Sequence, residues 1–112
     1  MRSQPTAIGY LRSDVSGIRQ TWDEAQIRSM ARRLGYSLTK TVVFSERVAT
    51  PVDRLINVVL RTDVDAVLTP SLEHLGSTPP APLIQVVDLI TVDPHATYAR
   101  WAVLPITRPD DR

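Results

Sequence analysis

The segment Ala7–Gly17 constrains the fold more than any other part of the chain. Strand-forming apolar residues run from Thr6 to Leu11, and a polar turn follows over Arg12–Gln20. Thr21-Trp-Asp-Glu24 has the form of a capping box and predicts a helix start. Apolar side chains then recur at helical spacing before the left-handed stop expected at Gly35: Ile27, Met30, Ala31 and Leu34. A buried strand followed by such a helix is typical of an α/β fold.

The same alternation continues along the chain. Ser37–Phe44 predicts a second strand, and Thr50-Pro51 predicts a second helix with threonine as its N-cap and proline at its first position. Five apolar residues give this helix a buried stripe: Val52, Leu55, Ile56, Val59 and Leu60. Asp65–Thr69 predicts a short buried strand that ends at Pro70.

The second half is rich in proline and less clearly divided. Ala81–Asp88 predicts a short helix opened by Pro82, and Leu89–Val92 predicts a fourth strand. Ala102–Ile106 is compatible with an edge strand. We therefore expect a three-layer α/β sandwich with a mostly parallel sheet of four or five strands and right-handed crossovers. The 112 residues are expected to form one domain, with its core at about 6–93 and an edge segment and tail at 94–112.

Composition narrows the classes of function. The chain has no cysteine, which excludes disulfides and thiolate metal sites and favours a cytoplasmic protein. No run approaches the roughly 20 apolar residues of a membrane helix, and no apolar signal region follows the start. A net charge of +1 predicts that any DNA contact is local and weak.

Several short motifs occur in a recognisable order. Tyr10-Leu-Arg-Ser-Asp14 resembles the Tyr-x-Arg-x-Ser signature of the serine recombinase (resolvase/invertase) catalytic domain. Gln26 lies where that family often has glutamine, and Asp53-Arg54 resembles its Asp-Arg pair. Leu72-Glu-His-Leu-Gly-Ser77 resembles its Leu-Asp-Arg-Leu-Gly-Arg segment. The resemblance extends from about residue 7 to about residue 92 and implies the resolvase-like fold.

The resemblance also implies a chemistry that this chain has lost. In the family a serine attacks a DNA phosphate, and arginines stabilise the developing charge. Here the serine position holds Asp14, and two arginine positions hold His74 and Ser77, with Glu73 in place of aspartate. Arg12 and Arg54 are retained. We therefore expect a catalytically inactive resolvase-like domain that acts as a binding or regulatory module. The alternative enzyme is a residual DNA phosphoryl transferase that uses Ser13 or Ser16.

Arg12 and Arg54 allow two interpretations. With the backbone of Ser16 and Gly17 they could bind a small anion or nucleotide ahead of the helix. Alternatively, the two arginines pair with Asp14 and Glu73 in a salt-bridged remnant of the site.

Other candidate residues point to partners more than to chemistry. His74 and His95 lack ligand-spaced neighbours, so no metal or other cofactor is expected. Three arginines lie near the end of the first long helix: Arg28, Arg32 and Arg33. Arginines at such positions more often interact with solvent and the helix dipole than with phosphates. The aromatic residues Trp22, Tyr98 and Trp101 either form an interaction surface or seal the edge of the core. Segment 81–101 is the predicted contact for a homodimer or a protein partner.

Overall fold

The computed structural model describes residues 4–100, which form one five-stranded sheet with the order β2-β1-β3-β4-β5. The strands are β1 (Thr6–Arg12), β2 (Ser37–Phe44), β3 (Ala66–Thr69), β4 (Asp88–Thr91) and β5 (Ala96–Tyr98). The helices are α1 (Ser13–Ser16), α2 (Gln20–Leu34), α3 (Pro51–Thr62) and α4 (Ala81–Ile84). Two 3-10 turns lie at Gly17–Arg19 and Leu72–Leu75.

The sheet is parallel except for its last pair, β4 with β5, which is antiparallel. Alternate residues of the buried strands face opposite layers. Ala7 and Leu11 pack with Ile27 and Met30 of α2 on one side, whereas Ile8 packs with residues of α3 and α4 on the other. The predicted α/β class with a mostly parallel five-stranded sheet and helices on both faces is therefore confirmed.

Gly9 lets α2 approach the sheet closely. A Cβ at this position would lie 2.8 Å from Ile27 Cγ2 and 2.8 Å from Thr41 Oγ1. Both distances are shorter than real carbon contacts allow, so a side chain here would push α2 or β2 away from β1.

Of the two predicted N-caps, Thr21 is wrong, whereas Thr50 lies at the N-cap position but makes no side-chain cap. Helix α2 begins at Gln20, so Thr21 lies within the helix and does not cap it. The predicted turn before it already contains α1 and a 3-10 turn, which bring the Ser16 hydroxyl onto Asp23 of the first helical turn. Pro51 does occupy the start of α3, but the Thr50 hydroxyl donates to the Ala49 carbonyl instead of capping the helix.

Other boundaries agree with the sequence. Helix α2 ends at Leu34 with Gly35 as its C-cap, where φ is a left-handed 84°, and the Tyr36 N–H donates back to the Ala31 carbonyl. Strand β2 has the predicted bounds.

The second half differs more from expectation. Helix α4 ends at Ile84 and not at Asp88, and β4 starts one residue early. Strand β5 supplies an edge strand at Ala96–Tyr98, beyond the expected core limit, while the edge strand predicted at 102–106 lies outside the described residues. None of the helices within residues 4–100 combines the length and apolarity needed to cross a bilayer.

Candidate functional site

A cavity of about 820 Å³ opens between α2 and the loops that follow β3 and β4. The carboxyl ends of parallel strands are where ligands bind in open α/β sheets. From α2 and the turn before it the lining comprises Val15, Ser16, Arg19, Trp22, Asp23, Gln26 and Arg33. From the segment after β3 it comprises Pro70, Ser71, Leu72, Glu73, His74 and Ser77. From the end of β4 to β5 it comprises Thr91, Val92, Asp93, Pro94 and Tyr98.

Asp23 is the most buried carboxylate in this wall, with the residue 7% exposed. Its Oδ2 accepts a 2.6 Å hydrogen bond from the Ser16 hydroxyl. Its Oδ1 lies 3.9 Å from Arg19 Nη2 in a looser ion pair. A buried charge requires such partners, and the short distance to Ser16 is typical of a hydroxyl bound to an ionised carboxylate. Ser16 is therefore engaged in holding Asp23.

His74 is the other buried polar group of the wall, with 3% exposure. Its Nδ1 accepts a 2.9 Å hydrogen bond from the backbone N–H of Arg12 at the end of β1. Burial lowers the pKa of His74, an effect that Asp23 and Glu73 only partly oppose. The ring is therefore neutral at pH 7, and because Nδ1 is an acceptor, its proton lies on Nε2. Within residues 4–100, Nε2 has no hydrogen-bond partner.

The charges around the cavity do not favour an anion. The charged side chains that line the cavity are two arginines and three carboxylates: Arg19, Arg33, Asp23, Glu73 and Asp93. Arg19 already faces Asp23. The wall thus has no excess of positive charge to attract a phosphate group.

The motif residues Arg12 and Asp14 bind each other. Arg12 Nη2 lies 2.6 Å from Asp14 Oδ2, and Arg12 Nε lies 3.1 Å from Asp14 Oδ1. The guanidinium therefore engages both oxygens of the Asp14 carboxylate, at the position that the resemblance assigns to the serine. This is the first of the two pairings that the salt-bridged interpretation requires.

The second pairing is not formed. Arg54 is exposed and donates from Nε to the Ala49 carbonyl at 3.1 Å, and no ion pair joins it to Glu73 in the described part of the chain. Glu73 and Ser77 are exposed and line the cavity. The motif positions are thus divided between the Arg12–Asp14 pair, the cavity wall and the start of α3.

Three groups of the expected anion site already have internal partners. Arg12 binds Asp14, and Arg54 donates to the Ala49 carbonyl. The Gly17 N–H donates to the Ser13 carbonyl. Anion binding at these groups stays a prediction, and it would have to displace those contacts.

The aromatic residues divide between core and cavity. Tyr10, the tyrosine of the motif, is fully buried edge-to-face against Phe44 with ring centroids 5.6 Å apart. Burial raises its pKa, so it is a neutral core residue. Tyr98 packs against the core and also lines the cavity. Trp22 lines the cavity while 57% exposed, and Trp101 lies outside the described residues.

Sequence reasoning missed the stripe that α2 and the 3-10 turn before it present to the cavity. Arg19, Trp22, Asp23 and Gln26 are spaced by three and four residues, which places them on one face of a helix. That spacing is readable from the sequence, but Asp23 had been interpreted only as part of a cap. No group of three or more potential metal-ligating His, Asp or Glu side chains occurs within residues 4–100.

Comparisons of the chain with protein-family models, curated proteins and solved structures return no match. The α/β fold and the geometry of the cavity are therefore the ground on which a function is proposed.

Proposed function

We propose that this chain is a catalytically inactive resolvase-like domain that works as a binding or regulatory module, with the cavity as its binding site. The observation that carries the proposal is the bidentate pair between Arg12 and Asp14.

The pair opposes DNA cleavage in two ways. A carboxylate at the nucleophile position repels a phosphate, and it also occupies the arginine that would stabilise charge on the phosphate oxygens. Ser16 donates to Asp23, and the Ser13 hydroxyl makes only a long 3.5 Å contact with the Phe44 carbonyl. Neither serine has a general base and a ring of arginines arranged around it in residues 4–100.

The cavity supports the binding half of the proposal. Its volume falls within the range of small-molecule sites, about 300–1,000 Å³. Buried polar groups that converge on a mostly preformed pocket are the features that give such sites their specificity. Asp23 and His74 provide these groups here.

The proposal also retains a macromolecular contact through segment 81–101. This segment includes β5, which is the outer strand on one side of the sheet and pairs on that side with no strand of residues 4–100. Edge strands readily accept another strand. Size-exclusion chromatography with light scattering across a concentration series tests for a homodimer, and a dimer insensitive to charge substitutions at Thr97 would place the contact elsewhere.

A suicide DNA substrate, on which a covalent protein–DNA adduct accumulates, tests the loss of catalysis. We expect no adduct from the wild type, from Ser13→Ala or from Ser16→Ala. An adduct that Ser13→Ala or Ser16→Ala abolishes would overturn the proposal in favour of the residual enzyme.

Thermal shift with a panel of small polar molecules, including inorganic phosphate, tests binding. A ligand at a hundred times its Kd raises the free energy of unfolding by about 2.7 kcal/mol. Gln26→Ala should reduce that shift, whereas Arg28→Ala should preserve it, because Arg28 is exposed on α2 and does not line the cavity.

A further inference from the structure

We propose that the cavity binds an uncharged nucleoside, with the base against Trp22 and its polar edge hydrogen-bonded to His74 and Gln26. This inference rests on the proposed binding function and assigns the class of its ligand.

Trp22 provides a stacking surface. It is 57% exposed in the free protein although it lines a cavity. Covering a large exposed indole is favourable, and aromatic rings prefer offset stacking against flat partners. Every nucleobase has such a face, and stacking between a base and an aromatic side chain is a common source of affinity.

His74 and Gln26 match the polar edge of a base. The Nε2–H of a neutral His74 makes no hydrogen bond within the described residues, and His74 lines the cavity with 3% exposure. Gln26 is half-buried in the same wall, and its amide offers one oxygen acceptor and two N–H donors. Base edges present ring nitrogens and carbonyl oxygens beside amino groups, so they satisfy both residues. An apolar ligand would leave the His74 donor unsatisfied.

The carboxylates favour a nucleoside over a nucleotide. Glu73 and Asp93 are exposed lining residues that can accept hydrogen bonds from ribose hydroxyls. The same carboxylates repel a phosphate, and Arg19 is already directed at Asp23. The charge of the wall therefore discriminates against the phosphorylated form of the same ligand.

Isothermal titration of the full chain tests the ligand class. The panel comprises four ribonucleosides, their 5′-monophosphates, glucose and inorganic phosphate. We expect at least one nucleoside to bind, and its monophosphate to bind at least tenfold more weakly at low salt. Trp22→Ala should weaken nucleoside binding about tenfold or more. Leu60→Ala is the matched control, because Leu60 is 61% exposed on α3 and does not line the cavity.

A fluorescence measurement tests the stacking on the native Trp22, so its result does not depend on whether the Trp22→Ala variant folds. The chain has two tryptophans, so Trp101→Phe leaves Trp22 as the sole indole. A bound base should quench its emission with the Kd found by titration.

Monophosphates that bind as tightly as nucleosides, or nucleoside binding without quenching of Trp22, would overturn the inference. Binding of glucose or phosphate alone, sensitive to Gln26→Ala, would overturn the ligand class and leave the proposed binding function standing. A panel without any binding would overturn the inference, and the proposed small-molecule binding would fall with it only if the wider thermal-shift panel also gave no shift.

Discussion

The backbone N–H of Arg12 donates a 2.9 Å hydrogen bond to Nδ1 of His74. This contact joins the end of β1 to the 3-10 turn after β3, two segments 62 residues apart in the sequence. It places the imidazole in the cavity wall and determines which nitrogen carries the proton. A residue that stands where the resembled family has an arginine is thus a neutral donor in a wall whose carboxylates outnumber its arginines.

Burial of neutral His74 should make the fold sensitive to acid. Its pKa is lowered in the folded chain, whereas in the unfolded chain it is about 6.5. Between the two values the unfolded state binds more protons, so stability is lost as the pH falls below about 6.5 and levels off below the folded pKa. Chemical denaturation from pH 8 to pH 5 should show this loss.

His74→Gln should reduce the pH dependence, because glutamine does not titrate and its oxygen can still accept from Arg12 N–H. The matched control is His95→Gln, since His95 is exposed. Equal pH profiles for wild type and His74→Gln would contradict the assignment of a buried neutral imidazole.

Asp14→Ser should not create a recombinase. The change places a hydroxyl where the resembled family has its serine and frees Arg12, but His74 and Ser77 still stand where that family has arginines. Each missing charge-stabilising group costs a factor of about a hundred to a thousand in rate. We expect no covalent adduct on the suicide substrate. The free energy of unfolding should change by less than about 1 kcal/mol, because both side chains of the pair are partly exposed. A readily detected adduct would show that the site is intact apart from one residue.

Local patterns predicted the elements whose signals lie within a single segment. Gly35 ends α2 because only a left-handed residue lets the chain turn back there, and Pro51 starts α3 because its missing N–H costs nothing at that position. The capping-box pattern at Thr21 is as clear in the sequence as the signals at Gly35 and Pro51, but Thr21 does not cap α2. Thr21 is not the N-cap because the 3-10 turn Gly17–Arg19 leads directly into α2 at Gln20, which leaves Thr21 inside the first helical turn.

The cavity was predicted only in part for a similar reason. The turn after β1 was expected to carry chemistry, and Ser16, Glu73, His74 and Ser77 of the candidate positions do line the cavity. Strand β5 has three residues, too few to show the alternating pattern of a strand. The sequence therefore did not predict the part of the cavity wall that ends at Tyr98. The resemblance directed attention to Arg12 and Arg54, whose internal partners depend on tertiary contacts.

Gly9→Ala should destabilise the fold by about 1–3 kcal/mol, the usual cost of overpacking a core. The added methyl would meet Ile27 and Thr41 at 2.8 Å. Urea denaturation measures the effect, and Thr41→Ala in the same chain should recover part of the loss by removing one of the two contacts. Ser29→Ala, an exposed change on α2, serves as the control. Additive effects of Gly9→Ala and Thr41→Ala would contradict the close approach.

Ser16→Ala and Ser13→Ala should differ in stability. Ser16 donates a 2.6 Å hydrogen bond to the buried Asp23 carboxylate, and its loss leaves that carboxylate, among side chains of residues 4–100, with the 3.9 Å approach of Arg19 alone. A buried group left without its hydrogen-bond partner lowers the free energy of unfolding by about 1–3 kcal/mol, and a charged group lowers it by more. The Ser13 contact is 3.5 Å long, so its removal should cost less than about 0.5 kcal/mol. Ser16→Ala combined with Asp23→Asn should recover part of the loss, because the buried charge is then removed. Similar stabilities for the two serine variants would mean that Ser16 does not hold Asp23, and the wall of the proposed nucleoside site would lose its fixed carboxylate.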